Sequence, residues 1–264
     1  MDEICGDERL RACRRLAYLV GSALRNLCER GPRLVVEPFL SGREAATPVT
    51  ASPGRVLTEA FLERRLPQLL PVGHLRVLEI GCGSGSVCRL LARLGYSGDY
   101  LGIDLADRFD RAPVANFARR FICVDAHAFD PGSERFDLIV SVSALEHIPQ
   151  DGTLISRLPG WLAPGGMELH FVPGGWGLAA YLWHGWRQYP LRAIRRKFGG
   201  EAVASPLGGI AATLLHVVAI TLAEMLLRFP LRRRWPAVYR RLLDQSLKFR
   251  FIRLSYGSRQ QDIG

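Results

Sequence analysis

The sequence predicts an α/β fold: a doubly wound, mostly parallel sheet with N-terminal helices and a helical, apolar and basic C-terminal extension. Three observations predict it. Between residues 75 and 172, short apolar runs alternate with stretches of helical spacing, the pattern of a parallel sheet covered on both faces. The first run stops at Gly81-Cys-Gly-Ser-Gly85, a turn that brings backbone N–H groups towards a ligand at a helix N-terminus. The next two runs end in Asp104 and Asp125, at the strand ends where open α/β sheets bind ligands.

The elements follow in order. Residues 8–29 carry Leu16, Leu19, Val20, Leu24 and Leu27 near helical spacing, which predicts a helix. A loop rich in Gly, Pro, Ser and Thr spans 41–54, and a second helix spans 55–70, ended by Pro71. Strands are predicted over 75–80, 100–103, 121–124, 136–142 and 167–172, and helices over 86–95 and 151–162. Gly95 suits a helix C-cap, and Leu162-Ala-Pro-Gly-Gly166 reads as a turn. Beyond 175 the pattern changes. Residues 190–198 and 235–248 are basic helix candidates, 207–227 is a long apolar run, and 249–254 suits a last strand returning to the sheet. The chain therefore divides into a helical cap (1–70), a core (71–175) and an extension (176–264).

With 264 residues, 48% hydrophobic and 23% charged, the composition excludes a disordered or low-complexity chain. The net charge of +10 suggests an anionic partner. That charge has an address: from Arg187 to Arg253 there are fourteen basic residues against Glu201, Glu224 and Asp244. The rest of the chain is nearly neutral. Six cysteines occur without a C-x-x-C pair, which argues against a zinc site or a disulfide scaffold. The acidic start, Met1-Asp-Glu-Ile, has no apolar signal segment, so a cytoplasmic location is expected.

The glycine turn departs from the dinucleotide fingerprint G-x-G-x-x-G, because its third glycine comes one residue early. Taken with the motifs that follow it, the chain resembles the class I, Rossmann-like S-adenosylmethionine-dependent methyltransferases, in particular the type 11 group. The resemblance runs from about 75 to 173. It rests on Val77-Leu-Glu-Ile-Gly-Cys-Gly-Ser-Gly85, Leu101-Gly-Ile-Asp104, Val124-Asp-Ala126, Phe136–Val142 with Leu145-Glu-His-Ile148, and Leu162-Ala-Pro-Gly-Gly166. It implies S-adenosylmethionine as cofactor. Glu79 and the loop Gly81, Cys82, Gly83 and Gly85 would hold the methionyl part. Asp104, with Leu105 beside it, would accept from both ribose hydroxyls through charge-assisted bonds. Asp125 would accept from the adenine amino group and the Ala126 N–H would reach a ring nitrogen. Ser141 and Val142 would border the sulfonium. Taken alone, the two aspartates also suit helix capping.

Methyl transfer needs alignment first, and a base only where the nucleophile starts as a weak, protonated group. His147, just past the fourth strand, is the candidate base; a structural role in its turn is the competing reading. His184, Trp186, Arg187 and Tyr189 follow the fifth strand, where the resemblance implies an acceptor pocket; ordinary packing of the tryptophans is the alternative. No metal site is expected. The Asn/Asp-Pro-Pro-Tyr/Phe pattern of many amino-group methyltransferases is missing after the fourth strand. Its absence favours a small-molecule, saccharide or lipid-linked acceptor, methylated at oxygen.

Leu207–Leu227 is long enough to span a bilayer, but it contains His216 and Glu224. At 100° per residue, Thr213, His216, Thr221, Glu224 and Arg228 fall within an arc of ~140°. Basic residues flank the segment on both sides, which suits a helix lying on an anionic membrane surface better than one crossing it; packing within the fold competes with this. RNA methylation using the basic tail, a methyltransferase-like protein without catalysis, and a dehydrogenase are the remaining alternatives. The basic residues interleave with greasy sequence and match no RNA-binding module, which argues against nucleic acid.

Overall fold

The computed structural model describes residues 11–27, 35–36, 50–175, 187–247 and 257–260. The N-terminal helix α1 (Ala12–Leu27) is followed by β1 (Val35–Val36) and α2 (Pro53–Leu69). Ser52 caps α2, its side chain accepting from the Arg55 N–H, and Pro53 occupies the first turn, where a missing N–H costs nothing. The core then runs β2 (His74–Ile80), α3 (Ser86–Arg93), β3 (Ser97–Asp104), β4 (Phe117–Cys123) and β5 (Phe136–Val142). A short 3₁₀ turn (Leu145–His147), α4 (Asp151–Arg157) and β6 (Leu162–Phe171) complete it. The extension holds α5 (Leu191–Phe198), β7 (Val203–Ala204), α6 (Ile210–His216) continued by a π-helix (Val217–Leu226), α7 (Leu231–Arg234), α8 (Pro236–Ser246) and β8 (Gly257–Gln260).

The strands form one sheet in the order β1-β7-β8-β6-β5-β2-β3-β4. The five strands β6-β5-β2-β3-β4 are mutually parallel. β8 pairs antiparallel with both β6 and β7. The candidate strand at 249–254 lies outside the described residues; the strand that does return to the sheet is Gly257–Gln260. The order reverses beside β2, so its carboxyl end, with the glycine turn, opens onto the crevice where such sheets bind ligands.

Successive residues of each central strand feed opposite layers. Leu138 and Val140 join Leu57, Phe61, Leu66 and Leu91 beneath α2 and α3. Ile139 joins Leu78, Leu154, Trp161 and Ile194 beneath α4 and α5. A third cluster, Ala51, Val56, Ala219, Tyr239 and Leu243, ties the tail to the start of α2.

Two predicted features take a different form. Leu162–Gly166 is not a turn but the first part of β6, bulged against β5: Phe136 pairs with Leu162, yet Leu138 pairs with Met167. The apolar segment does not keep 100° per residue. After His216 it winds as a π-helix, which holds more residues per turn than an α-helix. The predicted polar arc therefore breaks up: Thr221 is buried, and Glu224 pairs with Arg232.

Candidate active site

A cavity of about 700 Å³ opens at the carboxyl ends of β2, β3 and β5. Gly81 and Gly83 line it, with Asp104, Asp125, Ser143 and His147. Gly81 has φ +70°, and a Cβ there would stand 2.3 Å from the Ala144 Cβ, so only glycine lets the turn close on the end of β5. Gly85 caps α3 at φ +71°, pressed against Arg119 and Phe121.

Asp104 lies at the tip of β3. Its Oδ2 accepts from the Gly83 N–H at 2.8 Å and its Oδ1 from the Ala106 N–H at 3.1 Å. It thus shapes the glycine turn while lining the cavity. Each carboxylate oxygen keeps acceptor capacity for a ligand hydroxyl. Asp125 turns its own loop, Oδ1 accepting from the His127 N–H at 2.8 Å. Leu105 and Ala126 also line the cavity. His147 reaches it from the 3₁₀ turn after β5, half-buried.

Other sequence-predicted residues stand apart from this cavity. Glu79 does not line it. Its carboxyl is buried and accepts from the Tyr100 hydroxyl, and burial pushes its pKa up to about 8. Cys82 is buried beneath the turn, its Sγ 2.7 Å from where a Gly102 Cβ would lie, and burial raises its thiol pKa. Ser141 faces the layer beneath α5, where its Oγ meets Nδ1 of its cross-strand partner His170 at 2.8 Å and the His170 ring packs on Phe198. His170 in turn meets Glu168 at 3.2 Å, and all three residues are buried. Arg187 and Tyr189 are buried as well. Arg187 lies 3.1 Å from Asp151 and donates to the Leu145 and Ile148 carbonyls. Tyr189 donates to Asp151 at 2.6 Å, as does Lys197. These groups brace the turn that carries His147. His184 and Trp186 lie outside the described residues.

Val142 lines a second cavity, of about 220 Å³, with Ser52, Thr58, Glu59, Ser143 and His216. Ser143 belongs to both walls. Its φ of +51° is a left-handed conformation that a non-glycine residue adopts at a cost of about 1–3 kcal/mol. Burial, and then the charge of Arg232, push the pKa of His216 down to about 4, so its ring is neutral at pH 7. Ser143 and His216 had no signal as site residues in the sequence. The first falls one residue past a predicted strand, and the second lies in an apolar run over a hundred residues from the glycine turn.

A methyltransferase-domain family matches residues 51–198. The chain belongs to that family and has its class I, Rossmann-like fold. It is 34% identical over 110 residues to a ubiquinone biosynthesis O-methyltransferase of Bradyrhizobium diazoefficiens, covering 40% of this chain and 42% of that protein. It is 38% identical over 125 residues to a trans-aconitate 2-methyltransferase of Streptomyces avermitilis, covering 44% and 45%. The likeness thus spans less than half the length of either relative. Among solved structures, coclaurine N-methyltransferase bound to N-methylheliamine and SAH superposes with a TM-score of 0.50 at 13% identity, over 96% of this chain and 89% of that one. A mycolic acid cyclopropane synthase complexed with SAH and CTAB gives 0.51 at 17% identity, over 76% and 83%. At these identities the likeness is one of fold.

Proposed function

We propose that this protein is an S-adenosylmethionine-dependent methyltransferase that methylates a hydroxyl group on a small or lipid-linked acceptor. The observation that carries this reading is the pair of cavities meeting at Ser143. The larger has carboxylates at two strand ends and a glycine turn whose Gly83 position leaves space for a ligand to approach. That donor and acceptor set fits a nucleoside carrying a diol and an amino group. Asp104 would hold the diol, and Asp125 with the Ala126 N–H would hold the adenine edge. Glu79 is not assigned a direct hold on the methionyl part, because its carboxyl is turned to Tyr100. S-adenosylmethionine, when bound, supplies an electrophilic methyl group on a sulfonium.

The smaller cavity is our choice for the acceptor. There the chain's task is to hold the nucleophile in line and to take up its proton. Proximity can supply roughly 7–11 kcal/mol of such a barrier. In this reading His216, neutral at pH 7, would accept a hydroxyl proton from this side, or His147 from the side of the larger cavity. The oxygen acceptor is further supported by the ubiquinone biosynthesis O-methyltransferase relatives.

The test is labelled-methyl transfer from S-adenosylmethionine into fractionated cell extract, beside calorimetric cofactor binding. Label is expected in small organic or lipid-extractable products. Asp104→Ala should weaken cofactor binding by at least tenfold, the loss of charge-assisted bonds worth about 1.5–3 kcal/mol. His216→Gln should lower kcat while leaving cofactor affinity unchanged. Unaltered cofactor binding by Asp104→Ala, or label found in RNA, would overturn the reading.

A further inference from the structure

One face of the extension is apolar and exposed, and the methyl-transfer site does not use it. Along the segment Ile210–Leu226, Leu214, Val218, Leu222 and Leu226 recur every four residues and are 57%, 54%, 41% and 52% exposed. Ala212, Ala219, Thr221 and Ala223 of the same segment are buried against the domain. The stripe continues past the helix end into Leu227, which is 72% exposed. Phe229 follows, its ring 5.4 Å from the exposed Trp235 ring at the start of α8. On α8, Val238 and Leu242 remain exposed one turn apart. Exposed apolar side chains recurring in this way along neighbouring elements mark an interaction site.

Its rim carries one sign of charge. Between residues 210 and 247 the carboxylates are Glu224 and Asp244, and both are engaged, with Arg232 and with Arg240. Arg228, Arg233, Arg234 and Arg241 are exposed in the same stretch of chain, on and between the elements that carry the apolar residues. Leucines and aromatic rings edged by arginine match the boundary between acyl chains and anionic headgroups. Among the described residues, no helix is long and apolar enough to cross a membrane.

We propose that the α6–α8 face docks on an anionic lipid bilayer, lying in the plane of its surface. The charge decides among partners. A second copy of this chain docked through the same face about a two-fold axis would bring two arginine-edged patches together, like charge against like charge. A nucleic acid would satisfy the arginines but would leave the leucine stripe facing phosphates. A bilayer with anionic headgroups receives both at once. This docking does not depend on the identity of the methylated acceptor. It does bear on it, because His216 of the smaller cavity lies between Leu214 and Val218 in the chain, so the docked face and that cavity share one helix.

The experiment is co-sedimentation of the full chain with vesicles of phosphatidylcholine alone and of phosphatidylcholine mixed with phosphatidylglycerol, at low and high salt. Binding is expected to the anionic vesicles and to fall as salt rises. Each Arg→Ala change should weaken it roughly fivefold, from about 1 kcal/mol per basic residue near an anionic surface. Arg233→Ala/Arg234→Ala should therefore lose roughly 25-fold. Leu222→Asp should weaken binding at every salt concentration. Matched melting curves confirm that the variants are folded. Three outcomes overturn the proposal: no sedimentation with anionic vesicles at low salt, equal sedimentation of wild type and Arg233→Ala/Arg234→Ala, or a solution dimer that Leu222→Asp separates.

Discussion

Glu79 shows how far a single side chain can depart from its motif. It falls in the Val77–Gly85 motif, yet its carboxyl is turned away from the cavity to the Tyr100 hydroxyl. The physical reason it could not be read is that β2 is buried on both faces over Val77–Ile80. Without alternating polarity, nothing in the sequence says which way Glu79 points. Asp104 and Asp125 were readable, because a carboxylate just past an apolar run has only the sheet's end to occupy. The buried Glu79 makes a prediction. With a folded pKa of about 8 against an ordinary 4.5, the folded chain keeps a proton that the unfolded chain releases between those values. Its contribution to stability therefore falls as pH rises through that window. Glu79→Gln removes the titration, so its melting temperature relative to wild type should be higher at pH 8.5 than at pH 5. An equal difference at both pH values would rule out this assignment.

Among the elements, the turn carrying His147 depends on a brace that no motif announces. Asp151, at the first position of α4 and buried, meets Arg187, Tyr189 and Lys197. The sequence suggested Arg187 and Tyr189 as acceptor contacts because they follow the fifth strand. The structure instead spends both on holding α4, α5 and the 145–149 turn together. Removing the carboxylate would leave two cations buried without it. Asp151→Ala should thus lose about 3–5 kcal/mol in urea unfolding. Asp151→Asn, which can still accept from Tyr189, should recover part of that loss. If Asp151→Ala keeps wild-type stability, the brace has no structural weight. The π-helix is illegible for a related reason: helical periodicity assumes 3.6 residues per turn, and the apolar run from 217 to 226 fits several windings equally well.

For the molecule as a whole, the tail packs against the domain. Tyr239 and Leu243 of α8 sit with Ala51, Val56 and Ala219, and the Tyr239 hydroxyl donates to the Ala51 carbonyl at 2.8 Å, 188 residues away in sequence. This contact makes α8 and the start of α2 one cooperative unit. Leu243→Ala should cost about 2–5 kcal/mol and shift the whole melting transition. A separate low-temperature transition with the main one unmoved would mean that the tail unfolds by itself.

The sequence by itself determined the alternation of strands and helices, the glycine turn and the aspartates at the strand ends, because each is a local pattern written in neighbouring residues. It also located the excess positive charge in the last quarter of the chain. Only the tertiary structure decided which face of β2 carries Glu79, where β8 enters the sheet, that Ser143 separates two cavities and that His216 lines one of them. Those facts depend on which surfaces meet across long stretches of chain. Such meetings are set by packing between distant elements, which local periodicity does not record.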